Sequence, residues 1–251
     1  MTTIDLNCDL GEGCAHDAEL MPLITSANIA CGAYAGDAGT MRKTVELAMR
    51  HGVAIGAHPG LADRENFGRK EILLTPDDAA LLVLEQVQRL QAIAYDAGAV
   101  VRHVKLHGAL YNQVSRDWAL SEAVVRVLWT KDKHPILYVL AGSELERVAR
   151  KKSGARVVPE VFADRSYQSD GSLTPRSRPD AMITDEKIAV AQVLRMVRDG
   201  TVRATNGTVI PISAGTVCLH GDGPHAVTFA RCLRQELAAI GVVCQAPHTT
   251  Q

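Results

Sequence analysis

The chain has 251 residues, 47% of them hydrophobic, and a formal net charge of -1. That length suffices for one large buried core and lies where α/β barrels are common, while the near-zero charge argues against an electrostatic grip on nucleic acid or anionic lipid. The opening Met1-Thr2-Thr3-Ile4-Asp5 lacks the basic start and apolar core of a signal peptide, and no later run is long enough to span a bilayer, so a cytoplasmic protein acting with small molecules or protein partners is expected.

The elements read as follows. Residues Thr3 to Asp9 alternate as a strand and turn at Leu10-Gly11-Glu12-Gly13, so that Asn7, Asp9 and Glu12 lie at its exit. A second apolar run, Ser26 to Cys31, breaks at Gly32 and at Gly36-Asp37, and Met41 to His51 has apolar residues at helical spacing before Gly52. Val53 to His58 is a third strand, followed by a charged loop from Gly60 to Glu71. Thr75 caps and Pro76 starts the longest predicted helix, which runs to Gly98.

Arg102 to His107 is a short strand that delivers Lys105 and His107 and stops at Gly108. A helix over Trp118 to Lys131 and a strand over Ile136 to Leu140 follow. Ser143 with Glu146 forms a capping box for a helix closed by Gly154. Ala155 to Val158 is a sixth strand leading into Pro159-Glu160 and Asp164-Arg165, after which a polar stretch to Asp180 has the length of a lid or binding loop. Asp185 to Asp199 is helical, and Thr201 to Ile212 turns on Asn206-Gly207 as a small hairpin. A strand ending at His220, a helix from Pro224 to Ile240 and a short strand over Val242 to Cys244 complete the chain, with His248 to Gln251 expected to fray.

Strand and helix alternate with no linker, which predicts a single domain over residues 1–251 built on a parallel sheet covered by helices. Ionisable groups at the exits of so many strands favour closure, because only a barrel brings all those exits to one mouth. The expected fold is an irregular, roughly seven-stranded parallel β/α barrel with a small hairpin excursion. The candidates at its mouth are Asp9, Glu12, Asn28, Cys31, Asp37, His58, Lys105, His107, Glu160, Asp164, Arg165, His220 and Asp222. Cys31 reads as packed filler, since no cationic neighbour in the sequence lowers its pKa. The six cysteines, Cys8, Cys14, Cys31, Cys218, Cys232 and Cys244, form no C-x-x-C pair and are expected to be reduced.

Several segments carry a family signature: Asp5-Leu6-Asn7-Cys8-Asp9-Leu10-Gly11-Glu12-Gly13, Asn28-Ile29-Ala30-Cys31-Gly32, Ala35-Gly36-Asp37, Gly56-Ala57-His58-Pro59-Gly60, Val104-Lys105-Leu106-His107-Gly108-Ala109-Leu110-Tyr111-Asn112, Glu160-Val161-Phe162-Ala163-Asp164-Arg165 and His220-Gly221-Asp222. In this order they closely resemble the LamB/YcsF lactam-utilisation family. The resemblance implies a barrel of the glycoside hydrolase/deacetylase type and ATP-dependent cleavage of 5-oxo-L-proline (pyroglutamate) to L-glutamate, together with 5-oxoprolinase subunits B and C. The chain departs from the family pattern at Ala33-Tyr34, where a Phe-His pair is usual, and at Leu106, Cys14-Ala15 and Lys70. Tyr34 matters most, because a tyrosine is a poorer metal ligand or proton carrier than histidine near neutral pH.

A lactam resists water until its carbonyl is activated, which accounts for ATP as co-substrate. The chain has no G-x-x-x-x-G-K-[ST] loop, so ATP is expected to bind mainly on the partner subunits. The expected roles are Asp9 or Glu12, with Asp37, as general base; Lys105 with Arg165 or Arg69 neutralising the substrate carboxylate or oxyanion; and His58, His107 and His220 relaying protons. Asn7, Asn28, Arg69, Glu160, Asp164, Arg165 and Asp222 form the candidate substrate-binding set. Two other readings stay open: a divalent-metal amidohydrolase or deacetylase with Asp9, His58 and His220 as ligands, and a non-catalytic lactam-binding subunit.

Overall fold

Along β1 (Thr2–Leu10) the apolar Ile4, Leu6, Cys8 and Leu10 alternate with the polar Asp5, Asn7 and Asp9, so the strand presents two chemically distinct faces. The apolar face packs into the main hydrophobic core. The polar face reaches partners on strands that are not its neighbours in the sheet, and this identifies it as the interior of a closed barrel. The computed structural model describes residues 2–129, 134–152, 154–221, 223 and 225–247.

The barrel wall is parallel and runs β1, β2 (Ser26–Ala30), β3 (Ala54–His58), β4 (Val101–Lys105), β5 (Ile136–Leu140), β6 (Val157–Phe162) and β9 (Thr216–Leu219), with β9 closing back onto β1. Asp5 to Cys8 of β1 pair with β9, whereas Thr2 to Ile4 pair with β10 (Val242–Cys244), which extends the wall at its lower edge. β2 and β5 are buried along their whole length, as strands covered on both faces must be.

The outer layer is formed by α2 (Ala38–His51), α3 (Pro76–Asp96), α5 (Trp118–Leu128), α6 (Glu144–Arg150), α7 (Glu186–Asp199) and α8 (Ala226–Ala239). Their starts follow local chemistry: Asp37, Thr75, Asp117, Ser143 and Asp185 each accept a backbone N–H of the first turn. In the Ser143 box the returning carboxylate, Glu146, accepts from Gly142 N–H. β7 (Thr201–Arg203) and β8 (Val209–Pro211) form the antiparallel hairpin expected around Asn206-Gly207.

Three expectations need correction. The strand ends before Gly108, at Lys105, and the glycine opens an unexpected helix, α4 (Gly108–Arg116), which its left-handed conformation (φ 56) permits; a Cβ there would lie 2.6 Å from the Gly68 carbonyl oxygen. The sixth strand is displaced toward the C-terminus and contains Pro159 and Glu160 rather than ending before them. A short helix, α1 (Asp17–Leu20), fills the β1–β2 connection. The predicted helix ends at Lys131 and Pro224, and the frayed end from His248, lie outside the described residues. Among the described residues no helix is long and apolar enough to cross a membrane.

Candidate functional site

The barrel interior is polar and layered. In the lowest layer Asp5 accepts hydrogen bonds from Thr25 (2.6 Å), Ser26 (2.7 Å) and Thr216 (2.5 Å), and the Ser26 hydroxyl meets Tyr138 Oη across the barrel at 3.0 Å. Burial pushes the Asp5 carboxyl up despite those donors.

Asn7, Asn28, His103 and Glu160 form the next layer. Asn7 Nδ2 donates to Glu160 Oε1 (3.0 Å), and Asn28 Nδ2 donates to Asn7 Oδ1 (2.7 Å) and Asp9 Oδ1 (2.8 Å). His103 stacks on Tyr138 at 4.2 Å, and its Nε2 meets Asn28 Oδ1 at 2.8 Å. A side chain at position 56 would strike this imidazole, which requires the glycine found there. Burial drives His103 down to about 3, so it is neutral.

Above this floor sits Lys105. Its ammonium is 2.8 Å from Asp9 Oδ1, 2.9 Å from Glu160 Oε1 and 3.0 Å from Cys218 Sγ. Burial alone would lower its pKa, but the Asp9, Cys218 and Glu160 charges around it hold it well above the usual lysine range. Asp9 likewise lies well below the usual carboxylate range: burial opposes this, and the adjacent His58 and Lys105 overcome it. Glu12 moves the other way, pushed up by burial and then by the Asp9 charge.

His58 and His107 complete this end of the site. Each directs one ring nitrogen at a backbone carbonyl: His58 Nδ1–H donates to Lys105 O (2.8 Å) and His107 Nε2–H to Phe67 O (2.9 Å). Phe67 holds φ 55, a conformation that costs a bulky residue about 1–3 kcal/mol and here turns its carbonyl toward His107. Tyr34 stacks on His107 with ring centroids 3.7 Å apart and donates its hydroxyl to Glu12 Oε1 at 2.7 Å. Gly60 and Gly68 leave room for that ring; a Cβ on Gly60 would lie 2.7 Å from it.

The mouth opens into a cavity of about 1560 Å³ lined by Asp9, Glu12, His58, Lys105, His107 and His220, and by Arg69, Arg165 and Arg176. His220 Nδ1 donates to Asp164 at 2.8 Å. Burial opposes protonation of the imidazole, yet the Asp164 charge raises its pKa, and His220 in turn lowers Asp164. Arg165 and Arg176 face the same corner; burial and then the Arg176 charge bring Arg165 down to about 10. Arg176, whose Nη2 lies 3.5 Å from His220 Nε2, comes from the long polar loop and escaped the sequence reading, because nothing local distinguishes it from a solvated arginine.

The structure therefore gathers Asp9, Glu12, His58, Lys105, His107, His220, Arg69 and Arg165 around one cavity. It separates others. Asp37 is exposed on the α2 cap, where its carboxylate accepts from Thr40 N–H at 2.7 Å, and it lies outside the cavity wall. Asn7, Asn28 and Glu160 are buried in the floor beneath Lys105, and Asp164 stands behind His220, so these four hold other side chains rather than line the cavity. Arg165 spends part of its guanidinium on Thr174 O and Ala181 O. Lys105 is too fully engaged by Asp9, Glu160 and Cys218 to be a ready anion receptor. Asp222 lies outside the described residues. Cys31 is buried filler as expected, its thiol pushed up to about 12 by burial.

The expected metal trio of Asp9, His58 and His220 does not converge. Among the described residues, candidate ligand atoms within 4.8 Å of one another divide into Asp9, Glu12, His58 and His107 on one side and Asp9, Cys218 and His220 on the other.

The chain matches the LamB/YcsF family over residues 4–251. It is 49% identical over 251 residues to the 5-oxoprolinase A subunit of Brevibacillus brevis, covering 98% of each chain. The crystal structure of a lactam utilization protein from Thermus thermophilus superposes with a TM-score of 0.90 at 41% identity, over 98% of this chain and 100% of that one. The catalytic domain of a peptidoglycan N-acetylglucosamine deacetylase from Eubacterium rectale shares the fold at a TM-score of 0.55 and 11% identity, over 100% of this chain and 90% of that one.

Proposed function

This chain belongs to the LamB/YcsF family, and from that premise we propose that it is the lactam-opening subunit of an ATP-dependent 5-oxoprolinase, converting 5-oxo-L-proline to L-glutamate with subunits B and C in the cytoplasm. The observation that carries this reading is the likeness, over 98% of both chains, to the A subunit of a 5-oxoprolinase. ATP is the co-substrate that activates the lactam carbonyl: its terminal phosphoryl group passes to the carbonyl oxygen with release of ADP, and the acyl phosphate left when water adds and the ring carbon–nitrogen bond breaks is hydrolysed by a second water to glutamate and phosphate. ATP binds mainly on the partners, since this chain has no phosphate-cradling G-x-x-x-x-G-K-[ST] loop.

The site divides the chemistry between two poles. Glu12, whose pKa is raised by burial and by the Asp9 charge, takes a proton from water as the water oxygen bonds to the lactam carbonyl carbon. Asp9 stays ionised beside Lys105 and orients that water together with His58. His220, whose pKa the Asp164 charge raises against the effect of burial, gives a proton to the ring nitrogen as the carbon–nitrogen bond breaks. Arg165, Arg176 and Arg69 supply positive charge for the substrate carboxylate and the developing oxyanion. The cavity exceeds the roughly 300–1,000 Å³ usual for small-ligand sites, which leaves room for the activating group.

The test is glutamate formation from 5-oxo-L-proline and ATP by this chain with and without subunits B and C. Turnover that requires all three is expected. Equal turnover by B and C alone would remove this chain from the reaction.

A further inference from the structure

The end of the cavity formed by Asp9, Glu12, His58 and His107 has a geometry that water activation by Glu12 does not require. Four atoms point at one another: His58 Nε2 is 3.0 Å from His107 Nδ1 and 3.2 Å from Asp9 Oδ2, and Glu12 Oε1 is 3.4 Å from His107 Nδ1 and 3.9 Å from His58 Nε2. Nitrogen and oxygen ligands bound at about 2.0–2.1 Å in a tetrahedron stand about 3.3–3.4 Å apart. The observed separations bracket that edge length.

Proton placement points the same way. His58 Nδ1 and His107 Nε2 each direct a hydrogen at a backbone carbonyl, so the other two ring nitrogens, His58 Nε2 and His107 Nδ1, face each other, and with no further proton they present two lone pairs. Two lone pairs at 3.0 Å repel unless a proton or another cation lies between them. Charge adds a further reason: three carboxylates lie at this end, with Asp9 and Glu160 sharing the Lys105 ammonium and Glu12 set against the two histidines, while Arg69 lies over the Phe67 ring. Backbone carbonyls that fix both tautomers, Tyr34 on Glu12 Oε1, and Lys105 with Asn28 on Asp9 Oδ1 are the kind of outer contacts that orient metal ligands.

We propose that Asp9 Oδ2, Glu12 Oε1, His58 Nε2 and His107 Nδ1 form a binding site for one divalent transition-metal ion. The other grouping, Asp9 with Cys218 and His220, is the poorer site. There Lys105 contacts both Asp9 and the Cys218 sulfur, and the remaining His220 nitrogen, Nε2, faces the Arg176 guanidinium at 3.5 Å. A cation in the first site uses only one Glu12 oxygen, leaving Oε2 to accept the proton from water; it would take Asp9 Oδ2 and His58 Nε2, and so would assume the water-orienting task given to those two side chains above, while ion binding itself does not depend on that reaction.

The test uses the full chain, stripped with chelator and titrated with zinc or cobalt alone by calorimetry and visible spectroscopy. About one ion per chain is expected, with cobalt giving the absorption of a nitrogen- and oxygen-ligated tetrahedral site. E12Q and H107N should each weaken binding by about tenfold or more, whereas H16Q, at a solvent-facing histidine, should leave it unchanged. Circular dichroism of the stripped variants separates loss of a ligand from loss of fold; if H107N unfolds, the isosteric E12Q still decides. The proposal is overturned if the stripped chain binds no ion, if E12Q binds as the unsubstituted chain does, or if cobalt gives the intense near-ultraviolet band of a thiolate ligand. Because the readout is binding, an inactive complex would leave this result standing, and an unbound metal would leave lactam hydrolysis standing.

Discussion

Asp9 and Lys105, 96 positions apart in the chain, meet at 2.8 Å inside the barrel, and Glu160 holds the same ammonium from below at 2.9 Å. This pairing joins the structural floor to the reactive mouth. Its loss is therefore felt in stability and in chemistry together.

Lys105→Met should destabilise the fold by about 3–5 kcal/mol, because it leaves buried carboxylates without their counter-charge. Denaturant unfolding measures this. Asp9→Asn keeps the shape and should cost far less stability, while lowering turnover by about two orders of magnitude through loss of the ionised carboxylate.

Turnover should follow a bell-shaped pH profile. Glu12 must be deprotonated and its pKa is raised, so the acid limb lies above the ordinary glutamate range; His220 must be protonated and its pKa is also raised, so the basic limb lies above the ordinary histidine range. Asp164→Asn removes the charge that holds the proton on His220 and should move the basic limb to lower pH. A basic limb unmoved in that variant would take His220 out of the acid role.

Tyr34→Phe removes the hydroxyl that supports ionised Glu12 at 2.7 Å. That hydrogen bond lowers the Glu12 pKa, so its loss should shift the acid limb upward and leave the basic limb in place. Steady-state rates across pH check this.

Asp37→Ala should cost about 1 kcal/mol of stability, as the loss of a helix N-cap does, with turnover unchanged. A large loss of turnover in a folded D37A variant would return Asp37 to the site.

The parallel barrel was legible because short apolar strands ending in His58, Lys105 and His220 alternate with capped amphipathic helices. The same pattern identified Asp9, Glu12, His58, Lys105, His107 and His220 among the ionisable residues that line the mouth. It failed where local sequence carries no depth information. Asn7, Asn28 and Glu160 look like mouth residues in one dimension, yet strand registers set them a layer below Asp9. Asp37 reads equally well as a rim acid or a helix cap, and the cap won because Thr40 N–H lies within reach. The α4 start at Gly108 was hidden by a glycine that usually ends elements. The stacking of Tyr34 on His107 joins loops 73 positions apart, which no local spacing reports.

The most direct test is a single isosteric change, Glu12→Gln, assayed as glutamate formed from 5-oxo-L-proline and ATP by the chain assembled with subunits B and C. The account predicts a fall of about two orders of magnitude in turnover with the fold intact. Turnover at the unsubstituted rate would contradict it.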